Sequence, residues 1–178
     1  MAYNHPNLKE CRMKTGKLLT AAVCLFLVFA APVFAQTAAE LDILLNTAEL
    51  GKAKAARFVL GTMQMLPAGL SGEAAEREAF KSAQEKGWVK GSGEELISLK
   101  DTAFLIMKAF NLKGGFMYAM AKNPRYAYRE LIYRRIIQGR SDPAMKVSGK
   151  RLLAIIDRAL QYSGEGAKLD AQFSGGGK

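Results

Sequence analysis

Residues 147–160 read VSGKRLLAIIDRAL, and residues 97–110 read ISLKDTAFLIMKAF. The two stretches align without a gap. Each begins with a β-branched residue, Ser, any residue and Lys, and each ends with a basic residue, Ala and a large apolar residue. Their apolar residues recur at intervals of three and four, which is the spacing of one face of an α-helix. The pattern therefore predicts a helix in each stretch, with a Ser just before its first turn.

The alignment continues upstream of both stretches. AFKSAQEKGWVKG (79–91) precedes the first and AYRELIYRRIIQG (127–139) precedes the second. Both begin with Ala, an aromatic and a basic residue, and both end with two large apolar residues, any residue and Gly. Each copy therefore predicts a helix, a glycine, a short loop and a second helix. One such unit cannot bury its apolar face alone, whereas stacked copies share a core.

Residues 38–66 resemble a degenerate third copy. Placing Leu50 against Ile97 keeps four further apolar positions in register, although the Ser and the Lys are missing. An unrelated amphipathic helix explains this stretch equally well. Strand signals are nearly absent, because apolar residues do not alternate with a period of two. We therefore predict an all-α fold of helix-loop-helix repeats, two clear and one degenerate, packed as a helical bundle.

Residues 1–35 are typical of a secretory signal peptide. Met13 opens the basic stretch MKTGK, an apolar run covers residues 18–30, and APVFA supplies small residues before a cleavage site that leaves Gln36 first. We expect Met13 to be the true start, because the residues before it add nothing to this signal. A retained anchor or a lipoprotein is the alternative. The apolar run is short for a bilayer, which argues against an anchor. A lipoprotein needs a small residue before its cysteine, whereas Cys24 follows a valine.

Both cysteines and the only histidine lie within residues 1–35. The mature chain therefore lacks a thiolate, an imidazole base, a disulfide and the usual zinc ligands. Its carboxylates are spread over expected helix surfaces, and the pair Glu94 and Glu95 fits a solvated loop better than a tuned acid and base. We predict a protein that is not an enzyme and that holds no cofactor and no metal.

The chain is strongly basic. Its formal net charge is +10, and removal of residues 1–35 takes away four basic residues and one Glu, which leaves +7. An exported protein with this charge is expected to meet an anionic polymer or an anionic lipid surface rather than nucleic acid. We expect it in the periplasm or cell envelope, with no transmembrane segment after signal cleavage.

The remaining chain divides by its glycine and proline clusters. The segment FMYAMA (116–121) is apolar throughout, and we expect it to plug the core or to extend the preceding helix. The expected regions are the signal peptide (1–35), N-terminal helices of the degenerate repeat (36–72), the first clear repeat (73–112), a linking apolar segment with the second clear repeat (113–162), and a disordered Gly-rich tail (163–178).

Ser98 and Ser148 are predicted helix N-caps, because a Ser before a helical run accepts a hydrogen bond from an unpaired backbone N–H. Asp101 completes a capping-box-like spacing with Ser98. Lys100 and Lys150 follow two residues after the caps, where a cation is mildly unfavourable. Either the ammonium and the helix dipole together attract an anion, or these are solvated first-turn lysines.

The cluster RYAYRELIYRR (125–135) combines tyrosines with arginines. Aromatic rings that stack on sugars and guanidinium groups that bind acidic substituents are suited to an anionic carbohydrate polymer. Tyr128 aligns with Phe80 and is expected in the core, as is Trp88. The candidate ligand-binding residues on the surface are Arg125, Tyr126, Arg129 and Tyr133.

These units are similar to the S-layer homology module. In that family the loop ends in Val or Ile, Thr, Arg, Ala and Glu, before an apolar helix that closes with Arg-Ala-Leu. DRAL (157–160) and MKAF (107–110) match that ending, and GWVKG (87–91) matches the family's Gly-Ile-Val-x-Gly. The resemblance covers residues 38–162. It implies three helix-loop-helix units packed as a pseudo-trimer and non-covalent attachment to cell-wall polysaccharide or a peptidoglycan-linked polymer.

The chain departs from the family motif at its charged positions. Where the family has Arg, the chain has Leu99 and Gly149, and where the family has Glu it has Asp101 and Arg151. We therefore expect a non-catalytic cell-envelope protein whose module binds an anionic cell-wall polymer or peptidoglycan. The alternative is a structural module that binds another envelope protein and has lost polysaccharide binding.

Overall fold

The computed structural model describes residues 38–174, with side chains to residue 164. Every contact discussed below lies in one compact unit that begins at Leu44. The described residues form seven helices: α1 (38–46), α2 (Lys52–Thr62), α3 (Gly72–Glu85), α4 (Leu99–Ala109), α5 (Phe116–Ala121), α6 (Pro124–Tyr133) and α7 (Gly149–Ser174). This part of the chain contains isolated bridges but no strand. The predicted all-α class is confirmed.

Two of the predicted regions concern the ends of the chain. The signal peptide at residues 1–35 lies outside the described residues. The tail predicted to begin at Ser163 instead continues α7 as far as Ser174, and residues 175–178 lie outside the description. The sequence of this stretch, GEGAKLDAQ, includes several good helix formers, which offset its two glycines. None of the helices among the described residues is long and apolar enough to cross a membrane.

Three extended segments meet at the centre of the fold. The backbone N–H of Leu50 donates to the carbonyl of Val147 at 2.9 Å, and the N–H of Ile97 donates to the carbonyl of Leu50 at 2.8 Å. All three side chains are fully buried. These residues occupy the same position in the sequence alignment, so equivalent places in the chain converge on one point.

A second set of hydrogen bonds joins the first residue of each following helix to the loop of another segment. The first residues of α2, α4 and α7 donate their N–H groups at 2.9, 2.8 and 3.0 Å. The pairs are Lys52 with Glu95, Leu99 with Met145, and Gly149 with Thr47. The three links close a ring, which we call the three-segment ring (47–52, 95–99 and 145–149). It satisfies buried backbone groups that regular secondary structure leaves unpaired.

Helix α4 forms the centre of the apolar core. Eight of its eleven residues are buried, and α2, α6 and α7 all pack against it. Among the buried residues Thr102 is the polar exception, and its hydroxyl donates to the carbonyl of Ser98 at 3.0 Å. A helix that is apolar over most of its circumference requires neighbours on most sides.

Helix α5 is placed differently from our prediction. α4 ends at Ala109, and Asn111 adopts a left-handed backbone conformation (φ 49°) that stops the helix, so FMYAMA does not extend it. Nor does this segment plug the core, because Tyr118 is its only buried residue. Phe116 is 76% exposed and Met120 is 73% exposed. The reason is that α5 packs on α6 through one face, with nothing described covering its other side.

Candidate functional site

Three of the predicted ligand-binding residues share one cleft. Tyr126, Arg129 and Tyr133 lie at positions i, i+3 and i+7 of α6, which places them on one side of the helix. With Phe116 and Met117 of α5 they line an open cleft of about 290 Å³. We call it the α5–α6 cleft. It combines two phenol rings and a guanidinium group, as the sequence predicted for a carbohydrate site.

The beginning of α6 is fixed by its own sequence. The side-chain oxygen of Asn123 accepts a hydrogen bond from the N–H of Tyr126 at 3.0 Å, and Pro124 occupies the first turn. Both residues are favoured at these positions. The cap therefore holds the first cleft tyrosine in a defined register.

Glu130 and Arg134 attach the loop before α5 to α6. Arg134 Nε donates to Glu130 Oε1 at 2.7 Å, and the N–H of Gly115 donates to Glu130 Oε2 at 3.0 Å. The Arg134 guanidinium also donates to the carbonyl of Lys113 and lies 4.7 Å from the centre of the Tyr162 ring. Both charged side chains are only 15% exposed. These bonds fix one wall of the cleft.

Tyr118 anchors α5 from below. Its side chain is buried, and burial raises the pKa of its phenol. Gly114 lies so close to this ring that a Cβ atom there would overlap it. The glycine is therefore needed for the ring to reach the core and for α5 to lie flat on the surface.

The α5–α6 cleft has an excess of positive charge in and beside it. Arg125 and Arg129 are both exposed, and within residues 38–164 neither forms an ion pair. Glu130 also lines the cleft, but its charge is matched by Arg134. Arg125 is not in the lining and lies one turn before Arg129 on α6. Tyr133 is 87% exposed, so its ring is free to stack on a ligand.

The two aromatic residues assigned to the core pack on it. Tyr128 is buried on α6. Trp88 is half-buried against the core, and the Lys86 ammonium lies 5.3 Å from its ring centre.

Lys100 is exposed, but the helix terminus beside it is occupied. The N–H of Leu99 is taken by the three-segment ring, and the N–H of Lys100 donates to the carbonyl of Pro143 at 3.1 Å. The N–H of Asp101 donates to Ser98 Oγ at 3.3 Å. An anion at this position would find only the ammonium group, because the first-turn donors of α4 are already used.

The two cap positions are filled by the predicted serines, with different geometry. Ser98 Oγ accepts from the Asp101 N–H and also donates to Asp101 Oδ2 at 2.5 Å, so the carboxylate accepts from the hydroxyl instead of from the backbone. Ser148 Oγ accepts from the N–H of Arg151 at 3.4 Å. Lys150 lies between Ser148 and Arg151 in the first turn of α7, and it is exposed.

The positions where the resembled family has its charged motif are engaged in packing here. Leu99 is fully buried, and a Cβ atom on Gly149 would overlap the carbonyl oxygen of Leu44. Arg151 turns back along its own loop, where it donates to the carbonyl of Arg140 at 2.6 Å. At these positions the chain presents no free charged side chain to a ligand.

Sequence reasoning missed Lys52. Its side chain is 8% exposed, and its ammonium donates to Glu95 Oε2 at 2.6 Å and to the carbonyl of Lys90 at 2.7 Å. The hydrogen bond and the charge of Lys52 lower the pKa of the Glu95 carboxyl. The signal was present in the alignment, since Lys52 shares the aligned position of Leu99 and Gly149. A lysine at a position that is otherwise closed to solvent needs a partner.

A second groove was also missed. It has a volume of about 660 Å³ and lies beside the start of α2. Its charged lining residues are Lys54, Arg77, Glu73, Glu76 and Glu94. These charges are of both signs, and Arg77 faces Glu73 at 3.8 Å with both side chains exposed. No motif distinguishes them from ordinary helix-surface charges, and the mixture does not favour an anion.

Comparison with known protein families, with curated proteins and with solved structures finds no match. Among the described residues, no three His, Cys, Asp or Glu side chains come together in a way that could hold a metal ion.

Proposed function

We propose that this chain is a non-catalytic exported envelope protein that binds an anionic cell-wall polymer or peptidoglycan in the α5–α6 cleft. The observation that carries the proposal is the convergence of Tyr126, Arg129 and Tyr133, with no described carboxylate paired to Arg129. These are the side chains expected of a site for a sugar that bears a carboxylate or phosphate.

The roles of the three residues differ. Arg129 would bind the acidic substituent through two parallel N–H donors. The exposed ring of Tyr133 would stack on the apolar face of a sugar, whereas the half-buried Tyr126 forms a fixed wall. Arg125, one turn away, would add attraction for the next charge along the polymer.

We also propose that residues 38–162 form three repeats arranged as in the S-layer homology module. The three-segment ring supports this, because the aligned residues Lys52, Leu99 and Gly149 donate equivalent hydrogen bonds to the next segment in turn. A second pair of hydrogen bonds agrees with it. The N–H groups of Ala53 and Lys100 donate to the carbonyls of Gly93 and Pro143, each two residues before the acceptor used by the preceding N–H group.

The test is co-sedimentation of the mature chain, starting at Gln36, with purified cell-wall sacculi at low and high salt. We expect the protein to pellet at low salt, and the double variant Arg129→Gln/Tyr133→Ala to bind about tenfold more weakly. Arg77→Gln removes another exposed arginine, from α3, and is the control. No sedimentation at low salt, or unchanged binding of the double variant, would contradict the proposal.

A second candidate function is a structural module that binds another envelope protein. The burial of Leu99 and the closure of Gly149 favour it, because the family's charged positions are lost. A photoreactive residue in place of Tyr133 distinguishes the two in cells. Polymer binding predicts adducts that carry glycan, whereas the structural role predicts adducts with a protein of defined mass.

A further inference from the structure

Three large apolar side chains of α5 protrude into solvent. Phe116 and Met120 are one helical turn apart on the side opposite the buried Tyr118, and Met117 lies beside them. Their exposed fractions are 76%, 73% and 54% respectively. We call these three residues the α5 ridge. Clusters of this kind on a surface mark interaction sites more often than chance.

Cations flank the α5 ridge on both sides. Arg129 lies on the side of the α5–α6 cleft. On the other side a second cleft, of about 270 Å³, is lined by Lys108, Lys113 and Lys122. Lys108 lies 5.3 Å from the centre of the Phe104 ring, and the other two lysines are exposed. The apolar ridge therefore stands between one arginine on one side and three lysines on the other.

The surrounding sequence concentrates the charge of the molecule. The 23 residues from Lys113 to Arg135 contain six Lys or Arg and one Glu, a net charge of +5, which is half of the +10 carried by all 178 residues. The single acidic residue, Glu130, is paired with Arg134. An occupant of this surface therefore has to be anionic as well as apolar.

The shape of the ridge decides between occupants. Phe116 and Met117 line one wall of the α5–α6 cleft, but a cleft of about 290 Å³ is too small to receive a partner helix, and the ridge side chains protrude beyond it because they are more than half exposed. A bare glycan offers no apolar medium for two methionines and a phenylalanine. A lipid surface offers both components, because apolar side chains enter the boundary of headgroups and acyl chains while Lys and Arg meet lipid phosphates.

We infer that the α5 ridge docks this protein on an anionic lipid bilayer. Phe116, Met117 and Met120 enter the outer part of the bilayer, and Lys113, Lys122 and Arg129 contact the headgroups. The ties from Glu130 to Gly115 and Arg134 hold α5 in place, so little ordering is needed on binding. This function goes beyond polymer binding and does not depend on it.

The test is flotation of the mature chain with vesicles of phosphatidylglycerol and phosphatidylcholine in a one-to-three ratio. We expect binding to these vesicles, weak binding to pure phosphatidylcholine, and loss of binding as salt is raised. The variant Phe116→Ser/Met120→Ser should bind these vesicles at least about tenfold more weakly than the wild type. Its matched control is Met65→Ser/Leu70→Ser, which removes two exposed apolar side chains elsewhere and should bind normally.

Several outcomes would overturn the inference. One is a wild-type chain that fails to float with anionic vesicles, and another is a ridge variant that floats as well as the wild type. A third is a dimer in solution that the ridge variant abolishes without any vesicle binding, which would make a second copy the occupant. Because the altered side chains are exposed, circular dichroism and thermal melting of the variant should match the wild type, which separates lost docking from misfolding.

The same samples separate this inference from the proposed function. Lipid vesicles contain no glycan, and extracted sacculi contain no lipid. Met120→Ser, which alters the one ridge residue that does not line the α5–α6 cleft, should float less well but still pellet with sacculi as the wild type does, whereas Arg129→Gln/Tyr133→Ala should bind sacculi about tenfold more weakly. Vesicle binding without sacculus binding would leave the membrane inference standing and reject the polymer site, and the reverse result would do the opposite.

Discussion

Helices α4 and α5 are both apolar in sequence, yet their environments differ. Eight of the eleven residues of α4 are buried, compared with one of the six in α5. α4 lies among α2, α6 and α7, while α5 packs on α6 alone among the principal helix contacts. The comparison teaches that an apolar run reports the capacity for burial, and that the neighbouring elements decide whether burial occurs.

The largest difference between the two helices should appear when one apolar side chain is truncated in each of them. Leu105→Ala in α4 leaves a cavity at a fully buried position and should lower the free energy of unfolding by about 3 kcal/mol. Met120→Ala in α5 should change it by less than about 0.5 kcal/mol. Urea denaturation of both variants measures the contrast. Equal losses would mean that the α5 ridge is covered in solution.

The next effect concerns the three-segment ring that precedes α4 and α7. Gly149→Ala would place a methyl group on the carbonyl of Leu44, and should cost about 2 kcal/mol through displacement of the backbone. Gly164→Ala, in the same helix, is the control, because nothing lies within 4 Å of the position that its Cβ atom would take. Thermal unfolding should show a lower Tm only for the first variant. An unchanged Tm would show that residue 44 moves away without cost.

A smaller effect is expected at the attachment of α5. Glu130→Ala removes the acceptor of Gly115 and the partner of Arg134, and should cost about 1 kcal/mol. Hydrogen exchange should accelerate in α5 and remain unchanged in α4. Glu85→Ala, at an exposed position at the end of α3, should alter neither helix. Uniform acceleration over both helices would indicate that Glu130 supports the whole fold and not α5 in particular.

The smallest effect is a dependence of stability on pH. The folded-state pKa of Glu95 lies below its ordinary value because Lys52 donates to it. Its contribution is therefore complete above the ordinary carboxyl pKa of about 4.3 and is lost as the pH falls through the folded value. The effect is small because the Glu95 side chain is 56% exposed. Melting temperatures measured between about pH 6 and pH 3 should depend less on pH in Glu95→Gln than in the wild type. In Glu94→Gln they should depend on pH as they do in the wild type.

Much of the helical framework could be predicted from local signals. The spacing of three and four placed helices at α4 and α7, and the serines at their starts are where the caps lie. The faces of α6 were also predictable, since Tyr128 is buried and Tyr133 is exposed. These features depend on residues within one or two turns of each other, which a sequence displays directly.

Features that depend on distant residues could not be predicted. The N–H of Lys100 is used by Pro143, 43 positions away, so the predicted anion site at the start of α4 lacks its backbone donors. Lys52 is buried only because the loop with Lys90 and Glu95 covers it. The exposure of FMYAMA follows from the absence of a described element above α5, and no periodicity in the segment itself encodes that.

The closure of the three-segment ring has a consequence for how the chain folds. The hydrogen bond from Gly149 to Thr47 joins residues about a hundred positions apart. Contacts of such long range lower folding rates, because the entropy of closing the intervening chain is lost before the contact forms. A chain that stops before residue 145 also leaves the N–H groups of Leu50 and Leu99 without their acceptors. The segment 145–149, in the last fifth of the polypeptide, thus completes the ring that the two earlier segments begin, and a chain shortened before residue 145 is expected to collapse without reaching a stable structure.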